Sequence, residues 1–119
     1  MGKILVVDDD AATLEVIEIV FAQEGYDVLA LSHCNDIEDV LKSFCPDIIL
    51  MDVILGMVDG RDICRQLKSS SNRHIPLVLM SVVNGFYEDP AKPLFSDDFI
   101  EKPFNIDELT HKVKVLLPN

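Results

Sequence analysis

The stretch IILMD at Ile48–Asp52 decides the fold of this chain. A short, continuous apolar run is typical of a strand that is buried on both faces, as in a parallel sheet. Open α/β sheets bind their ligands at the carboxyl ends of the strands, which is where Asp52 stands. The same pattern occurs near the start of the chain, where the apolar run Ile4–Val7 precedes the acidic triplet Asp8–Asp10. We therefore expect two strand ends to meet in one acidic site.

Strand and helix patterns alternate along the rest of the chain. Apolar runs predict further strands at Lys3–Val7, Tyr26–Leu31, Ile75–Met80 and Asp98–Glu101. Apolar residues at helical spacing predict helices that begin near Asp10, at Asn35 or Asp36, at Gly60 and near Asn105. Val53–Val58 is predicted to be a loop. This alternation is typical of an α/β fold with a doubly wound, five-stranded parallel sheet.

Right-handed crossovers bring the carboxyl ends of parallel strands to one edge of the sheet. Five polar residues follow predicted strands and are expected at that edge: Asp8, Asp9, Asp52, Ser81 and Lys102. Two like charges about 4 Å apart repel by about 4 kcal/mol at an effective dielectric of 20, so clustered acids tend to hold a cation. Hard oxygen ligands suit Mg²⁺. Asp10 is instead a candidate N-cap of the first helix.

A hydroxyl and an ammonium beside that cation would complete a phosphoryl site. Ser81 and Lys102 could neutralise the oxygens of a phosphoryl group. A carboxylate can act as the nucleophile and form an aspartyl phosphate. Lys102 alone would be an ordinary surface lysine, but Pro103 follows it, and a cis bond between the two could direct the lysine inward.

Composition limits the other classes of function. The 119 residues fit a single domain, residues 1–119, and the formal charge of −11 disfavours direct binding of nucleic acid by this domain. Cys34, Cys45 and Cys64 form no C-x-x-C pair, so a zinc site or a disulfide framework is not expected. Free thiols suit a reducing cytoplasm, and no apolar run reaches the roughly 18 residues of a membrane span.

The ordered set of motifs resembles a response-regulator receiver domain of the two-component type, similar to the chemotaxis receiver. The resemblance covers essentially the whole chain and rests on Lys3–Asp10, Pro46–Asp52, Asp59-Gly60, Pro76–Ser81 and Asp98–Phe104. It implies a flavodoxin-like (βα)₅ fold with strand order 2-1-3-4-5. It also implies a switch that catalyses only its own phosphorylation and dephosphorylation, with no turnover of an external metabolite.

The resemblance assigns a role to each residue of the site. Asp52 would accept the phosphoryl group from the phosphohistidine of a sensor histidine kinase or a phosphotransfer protein. Asp9 and Asp52 would bind Mg²⁺ directly, Asp8 through water, and the Ile54 carbonyl would be a further ligand. Ser81 and Lys102 would contact the phosphoryl group. Phe99 would be the switch aromatic, or simply a half-buried strand residue.

Five positions depart from the family pattern. Leu55-Gly56 stands where Met-Pro is usual, and we expect a looser loop because glycine costs more entropy to order. Val82 replaces a small residue after Ser81 and could narrow access to Asp52. Ile54 and Val83 are apolar where polar side chains often orient the hydrolytic water, so we expect slow dephosphorylation.

The segment Asn84–Ser96 is the weakest part of the helix prediction. It carries Gly85, Pro90 and Pro93, and a proline inside a helix costs about 3 kcal/mol, so a degenerate fourth helix is expected. Its apolar residues could form a docking patch or a small satellite core: Phe86, Tyr87, Leu94 and Phe95.

Two other classes of function remain to be weighed. One is a non-phosphorylated, receiver-like module that acts only by binding proteins. The other is an aspartate-nucleophile phosphatase, which is disfavoured because Ile54 occupies the place of its second acid. The cognate kinase and the downstream partner or output domain cannot be read from the sequence.

Overall fold

Five parallel strands form the main sheet. The computed structural model describes residues 2–81 and 95–117, and within them a two-stranded hairpin and four helices accompany the sheet. In chain order the elements are β1 Lys3–Val7, α1 Ala11–Gln23, β2 Asp27–Leu31, α2 Ile37–Phe44, β3 Ile48–Asp52, β4 Ile54–Leu55, β5 Val58–Asp59, α3 Gly60–Lys68, β6 Leu77–Ser81, β7 Asp98–Glu101 and α4 Ile106–Leu116.

The order of strands in the sheet is β2-β1-β3-β6-β7, and every neighbouring pair is parallel. If the hairpin β4–β5 is set aside, this is the predicted order 2-1-3-4-5. The register pairs Val7 with Met51 and Asp52 with Met80, so β1, β3 and β6 end side by side. The doubly wound, flavodoxin-like fold predicted from the sequence is confirmed.

The sheet is buried on both faces, which explains why its central strands are apolar throughout. Successive residues of β3 enter opposite cores: Ile49 and Met51 pack with α2 and α3, whereas Ile48 and Leu50 pack with α1 and α4. All five residues of β3 are buried. Each fully buried aliphatic side chain contributes about 1.5–3 kcal/mol relative to an exposed one, so this strand is a main source of stability.

Side chains cap three of the four helices at their predicted starts. Asp10 accepts a hydrogen bond from the Ala12 backbone, Asp59 caps α3, and Asn105 caps α4. For α2 the predicted start is correct, but the predicted capping by a side chain is wrong. Asp36 does occupy the N-cap position, but it has a φ of 56° and its side chain makes no capping bond.

Three boundaries differ from the predictions. β6 begins at Leu77, after Pro76, which has no N–H to give to a strand ladder. Tyr26 precedes β2 and packs edge-on against Phe21, with ring centroids 5.6 Å apart. The predicted loop Val53–Val58 instead contains the antiparallel hairpin β4–β5, in which Ile54 pairs with Asp59 and Leu55 with Val58.

Most of the predicted irregular segment lies outside the described residues. The predictions for the degenerate fourth helix, for Val82 and Val83, and for three members of the suggested docking patch all fall on residues that the structure does not describe. The fourth member, Phe95, is described and is exposed. Among the described helices, none has both the length and the apolar character that crossing a membrane requires.

Gly60, the first residue of α3, packs closely against the end of the central strand β3. Its N–H donates to the Val53 carbonyl over 2.6 Å. A Cβ placed on Gly60 would lie 2.1 Å from the backbone oxygen of Asp52, a distance that no side chain tolerates. The glycine of the Asp59-Gly60 pair is therefore required by close packing against the strand.

We expect Gly60→Ala to destabilise the fold by about 1–3 kcal/mol, because the backbone of β3 or α3 must move to admit the methyl group. Urea unfolding measures the difference. Gly2→Ala is the matched control: its Cβ would meet its nearest neighbour at 3.5 Å, an ordinary contact, and should change stability by less than about 0.5 kcal/mol. Equal stability of the two variants would contradict the packing role of Gly60.

Candidate functional site

The strand ends bring the predicted site residues together. Asp8 follows β1, Asp52 ends β3, Ser81 ends β6 and Lys102 follows β7. Carboxylate oxygens of Asp8, Asp9 and Asp52 all lie within 4.8 Å of one another. The edge of the sheet therefore carries one compact acidic cluster, as the strand pattern predicted.

The ammonium of Lys102 lies between the two buried carboxylates. Its Nζ donates a hydrogen bond to Asp8 Oδ2 and another, over 3.0 Å, to Asp52 Oδ2. Asp8 is fully buried and Asp52 is 7% exposed. The peptide bond between Lys102 and Pro103 is cis, the isomer that the sequence left open.

Backbone N–H groups hold the other carboxylate oxygens. Asp8 Oδ1 accepts from the Asp10 amide over 2.9 Å, and Asp52 Oδ1 accepts from the Ile54 amide over 3.2 Å. Asp9 is exposed, and its Oδ2 accepts from the Gly56 amide over 3.1 Å. Each acid is thus oriented by a different turn of the backbone.

Burial and charge shift the ionisation of the central pair in a consistent way. Burial raises the pKa of Asp52, the hydrogen bond from Lys102 opposes that shift, and the nearby charge of Asp8 adds to it. Burial acts to lower the pKa of Lys102, but hydrogen bonds to Asp8 and Asp52 outweigh it and raise the pKa. One ammonium faces two carboxylates, so the lysine gains two partners while each acid shares one.

The acidic triplet is divided between two tasks. Asp10 lies outside the cluster and caps α1, while its carboxylate accepts from the Thr13 hydroxyl over 2.7 Å. This hydrogen bond, with that from the Ala12 amide, lowers the pKa of Asp10. Asp8 and Asp9 are left for the site, which agrees with the expectation that only one of the three acids can be the N-cap.

Ser81 and Lys102 are fixed to each other through the backbone. The Lys102 amide donates to the Ser81 carbonyl over 2.7 Å, and Ser81 is buried at the end of β6. Phe99, on the neighbouring strand, is half-buried and packs against the core that contains α2 and α3. The serine and the lysine therefore lie together at the carboxyl edge of the sheet, and the aromatic residue lies on β7, the strand that leads to the lysine.

Sequence patterns did not predict that the β4–β5 hairpin contributes to the site. Two-residue strands are too short for a hydrophobic period to reveal them, and the amide of Gly56 carries no side-chain signal. The tip glycine has a φ of 62°. That conformation favours glycine, so the presence of Gly56 in the predicted loop after Asp52 is compatible with a tight turn but does not by itself predict one.

The donor set of the cluster fits a divalent cation. Asp8, Asp9 and Asp52 supply hard carboxylate oxygens, which is the ligand type that Mg²⁺ prefers. Three carboxylates and the single ammonium of Lys102 leave two negative charges uncompensated if all are ionised. A divalent ion would balance them.

Comparison with known proteins adds independent information. The family model of the response regulator receiver domain matches residues 4–114. The signal receiver domain of a signal transduction histidine kinase from Syntrophus aciditrophicus is 30% identical, with a TM-score of 0.86, and the match covers 98% of this chain and 90% of that one. The response regulator TrrA from Thermotoga maritima, in complex with Mg²⁺-BeF, is 25% identical with a TM-score of 0.87, covering 98% and 100%. The receiver domain of Francisella response regulator 1452 is 26% identical with a TM-score of 0.83, covering 98% and 96%.

Because burial raises the pKa of Asp52, its ionised form opposes folding at neutral pH. We expect Asp52→Asn to raise the urea midpoint at pH 7. The gain should be complete above the folded pKa of Asp52, shrink as the pH falls through it, and vanish near the ordinary value of an unfolded aspartate, about 3.9.

The control for this measurement is Glu15→Gln, which neutralises an exposed acid on α1 and should leave the midpoint nearly unchanged. A lower midpoint for Asp52→Asn at pH 7 would mean that its bond with Lys102 stabilises the fold more than its burial opposes it.

Proposed function

The chain belongs to the response regulator receiver domain family, and on that premise we propose that it is a phosphoryl-accepting switch with Asp52 as the phosphoacceptor. The observation that carries the proposal is the Lys102 ammonium held 3.0 Å from the Asp52 carboxylate, inside a cluster of three acids. This arrangement joins a nucleophile, a cation site and a fixed positive charge at one strand edge.

In the proposed reaction, a carboxylate oxygen of Asp52 bonds to the phosphorus of a phosphohistidine. The bond from phosphorus to the histidine nitrogen breaks, and the leaving imidazole keeps the electron pair and takes up a proton. The donor is a sensor histidine kinase or a phosphotransfer protein. An open cleft of about 470 Å³ lies beside Lys102 and is lined by Thr13, Val16 and Phe104 among others, and we expect the donor to approach from this side.

Lys102 and Ser81 act on the transferred group. The ammonium is already directed at Asp52, so it can neutralise phosphoryl oxygens without being moved into a new position. The Ser81 hydroxyl, at the end of the adjacent strand, would donate to the same group. Both residues are fixed to the sheet by the bond from the Lys102 amide to the Ser81 carbonyl.

The acidic cluster would hold Mg²⁺. Asp9 and Asp52 would bind the ion directly, Asp8 through water, and the Ile54 carbonyl would complete the protein's contribution. When bound, the ion supplies positive charge that offsets charge on the phosphoryl oxygens. The complex of the related TrrA with Mg²⁺-BeF supports a magnesium site in this chain.

Phosphorylation would be reported through Ser81 and Phe99. In the sheet Ser81 is paired with Glu101, two residues along β7 from Phe99. A shift of the serine toward the phosphoryl group would therefore reach the strand that carries the aromatic side chain, which can change its rotamer. A receiver-like module that only binds proteins is the alternative, and the presence of the full set of acids, hydroxyl and lysine favours the switch.

We expect the chain to gain one phosphoryl group from acetyl phosphate with Mg²⁺, detected by intact mass, and Asp52→Asn to abolish the gain. Asp10→Asn is the matched control, because it removes an acid of the same triplet while asparagine caps a helix equally well. Phosphorylation that persists in Asp52→Asn, or its absence in the unaltered chain, would contradict the proposal.

The phosphorylated form is expected to decay slowly, because the side chain at position 54 beside the acceptor is apolar. Ile54 is 46% exposed, so Ile54→Asn places an amide where it can orient water without disturbing the core. We expect that variant to lose its phosphoryl group several-fold faster, as followed by mass. Val58→Asn, on the other strand of the hairpin, should decay like the unaltered chain. A phosphorylated form of the unaltered chain that decays within seconds would contradict the expectation.

A further inference from the structure

We infer that the backbone N–H of Gly56 is a positioning group for Asp9 and that the β4–β5 hairpin thereby increases the affinity of the acidic site for a divalent cation. The inference rests on the proposed function, because it concerns the cation that the site would bind. Gly56 has no side chain that could bind a metal, so it would not be counted among the ligands of the cation.

The contact at the centre of the inference is a hydrogen bond from Gly56 to Asp9. The Gly56 amide donates to Asp9 Oδ2 over 3.1 Å. Asp8 and Asp52 are buried and are held by Lys102 as well as by backbone amides, whereas Asp9 is exposed. Over residues 2–81 and 95–117, Gly56 supplies the one hydrogen bond that the Asp9 carboxylate accepts from the protein. Without it, the side chain would be free to sample other rotamers in water.

The hairpin connects this donor to packed parts of the fold. Leu55, the residue before Gly56, is 5% exposed and belongs to the core between the sheet and α2 and α3. On the other side of the tip, Asp59 caps α3 and pairs with Ile54 across the hairpin. Gly56 is therefore connected to the core through Leu55 on one side and to the start of α3 through Asp59 on the other, and its N–H lies near the strand ends, where it reaches Asp9.

The backbone at Gly56 limits which residues can keep the donor there. Its φ of 62° is compatible with glycine and with asparagine, and a Cβ at this position would meet no atom within 4 Å. Proline has no N–H and fixes φ near −65°. Gly56→Asn would therefore retain the N–H donor, and Gly56→Pro would remove it.

A donor bound to one oxygen of a ligand carboxylate fixes the orientation of that carboxylate. Loss of such a contact typically lowers metal affinity by about 10- to 100-fold. The same hairpin also carries Ile54, whose carbonyl is a proposed ligand, so the hairpin would position two of the cation's contacts. Because coupling between two sites is reciprocal, bound cation should in turn hold the Gly56 amide more firmly.

The test measures Mg²⁺ binding to the whole chain by isothermal titration calorimetry. We expect Gly56→Pro to bind Mg²⁺ at least about tenfold more weakly than the unaltered chain, and Gly56→Asn to bind within about twofold of it. Urea unfolding of each variant shows whether the fold is retained. Equal affinity of the proline and asparagine variants would overturn the inference.

Hydrogen exchange of the Gly56 amide, followed by NMR, provides a second measurement that needs no variant. Saturating Mg²⁺ should slow this exchange, while the amide of Gly25, remote from the site in the turn after α1, serves as the control. Unchanged exchange at Gly56 would overturn the inference even if Gly56→Pro fails to fold. If the unaltered chain binds no Mg²⁺ at all, the proposed cation site itself is wrong, an outcome distinct from loss of the Gly56 effect alone.

Discussion

The bridge from the Lys102 ammonium to Asp8 and Asp52 is the interaction on which the site depends. A buried carboxylate is costly unless it is paired and hydrogen-bonded, so loss of the lysine would leave both acids without a compensating charge. Here one lysine serves two acids, and backbone amides of Asp10 and Ile54 satisfy the oxygens that it does not reach. The fold can keep two acids in its interior because this small network satisfies them, and it still leaves the cluster with a negative charge.

The sheet determines that these residues meet. Parallel strands joined by right-handed crossovers bring all their carboxyl ends to one edge, so residues from positions 8, 52 and 102 become neighbours without any local sequence relation. The apolar strands beneath them are buried on both faces, and this fixes their register. The polar edge therefore stands on a buried core, and that core fixes the positions from which the carboxylates project.

Much of this arrangement could be predicted from the sequence, because each signal had a strong physical basis. Ile48–Met51 must be buried on both sides, which implies helices on both faces, and the acids after two such runs must then converge. The parts that were missed depend on backbone geometry. The strands β4 and β5 contain two residues each, Asp36 adopts a left-handed conformation without capping, and the donor to Asp9 is an amide that every residue except proline carries.

The β4–β5 hairpin, which was predicted from the sequence to be a loop, changes the interpretation of Gly56. A glycine in a loop costs entropy to order, which alone predicts a looser site. In the structure its left-handed conformation turns the chain back within two residues, and the tip amide binds Asp9. Gly56 has no side chain that could pack, but residues on either side of it are packed. Leu55 enters the core, and Gly60 lies against the Asp52 carbonyl. Gly56 thus lies between two tightly packed residues, Leu55 and Gly60. Because it is a glycine it can adopt the left-handed conformation of the hairpin tip, and the packing of those two residues stabilises that conformation.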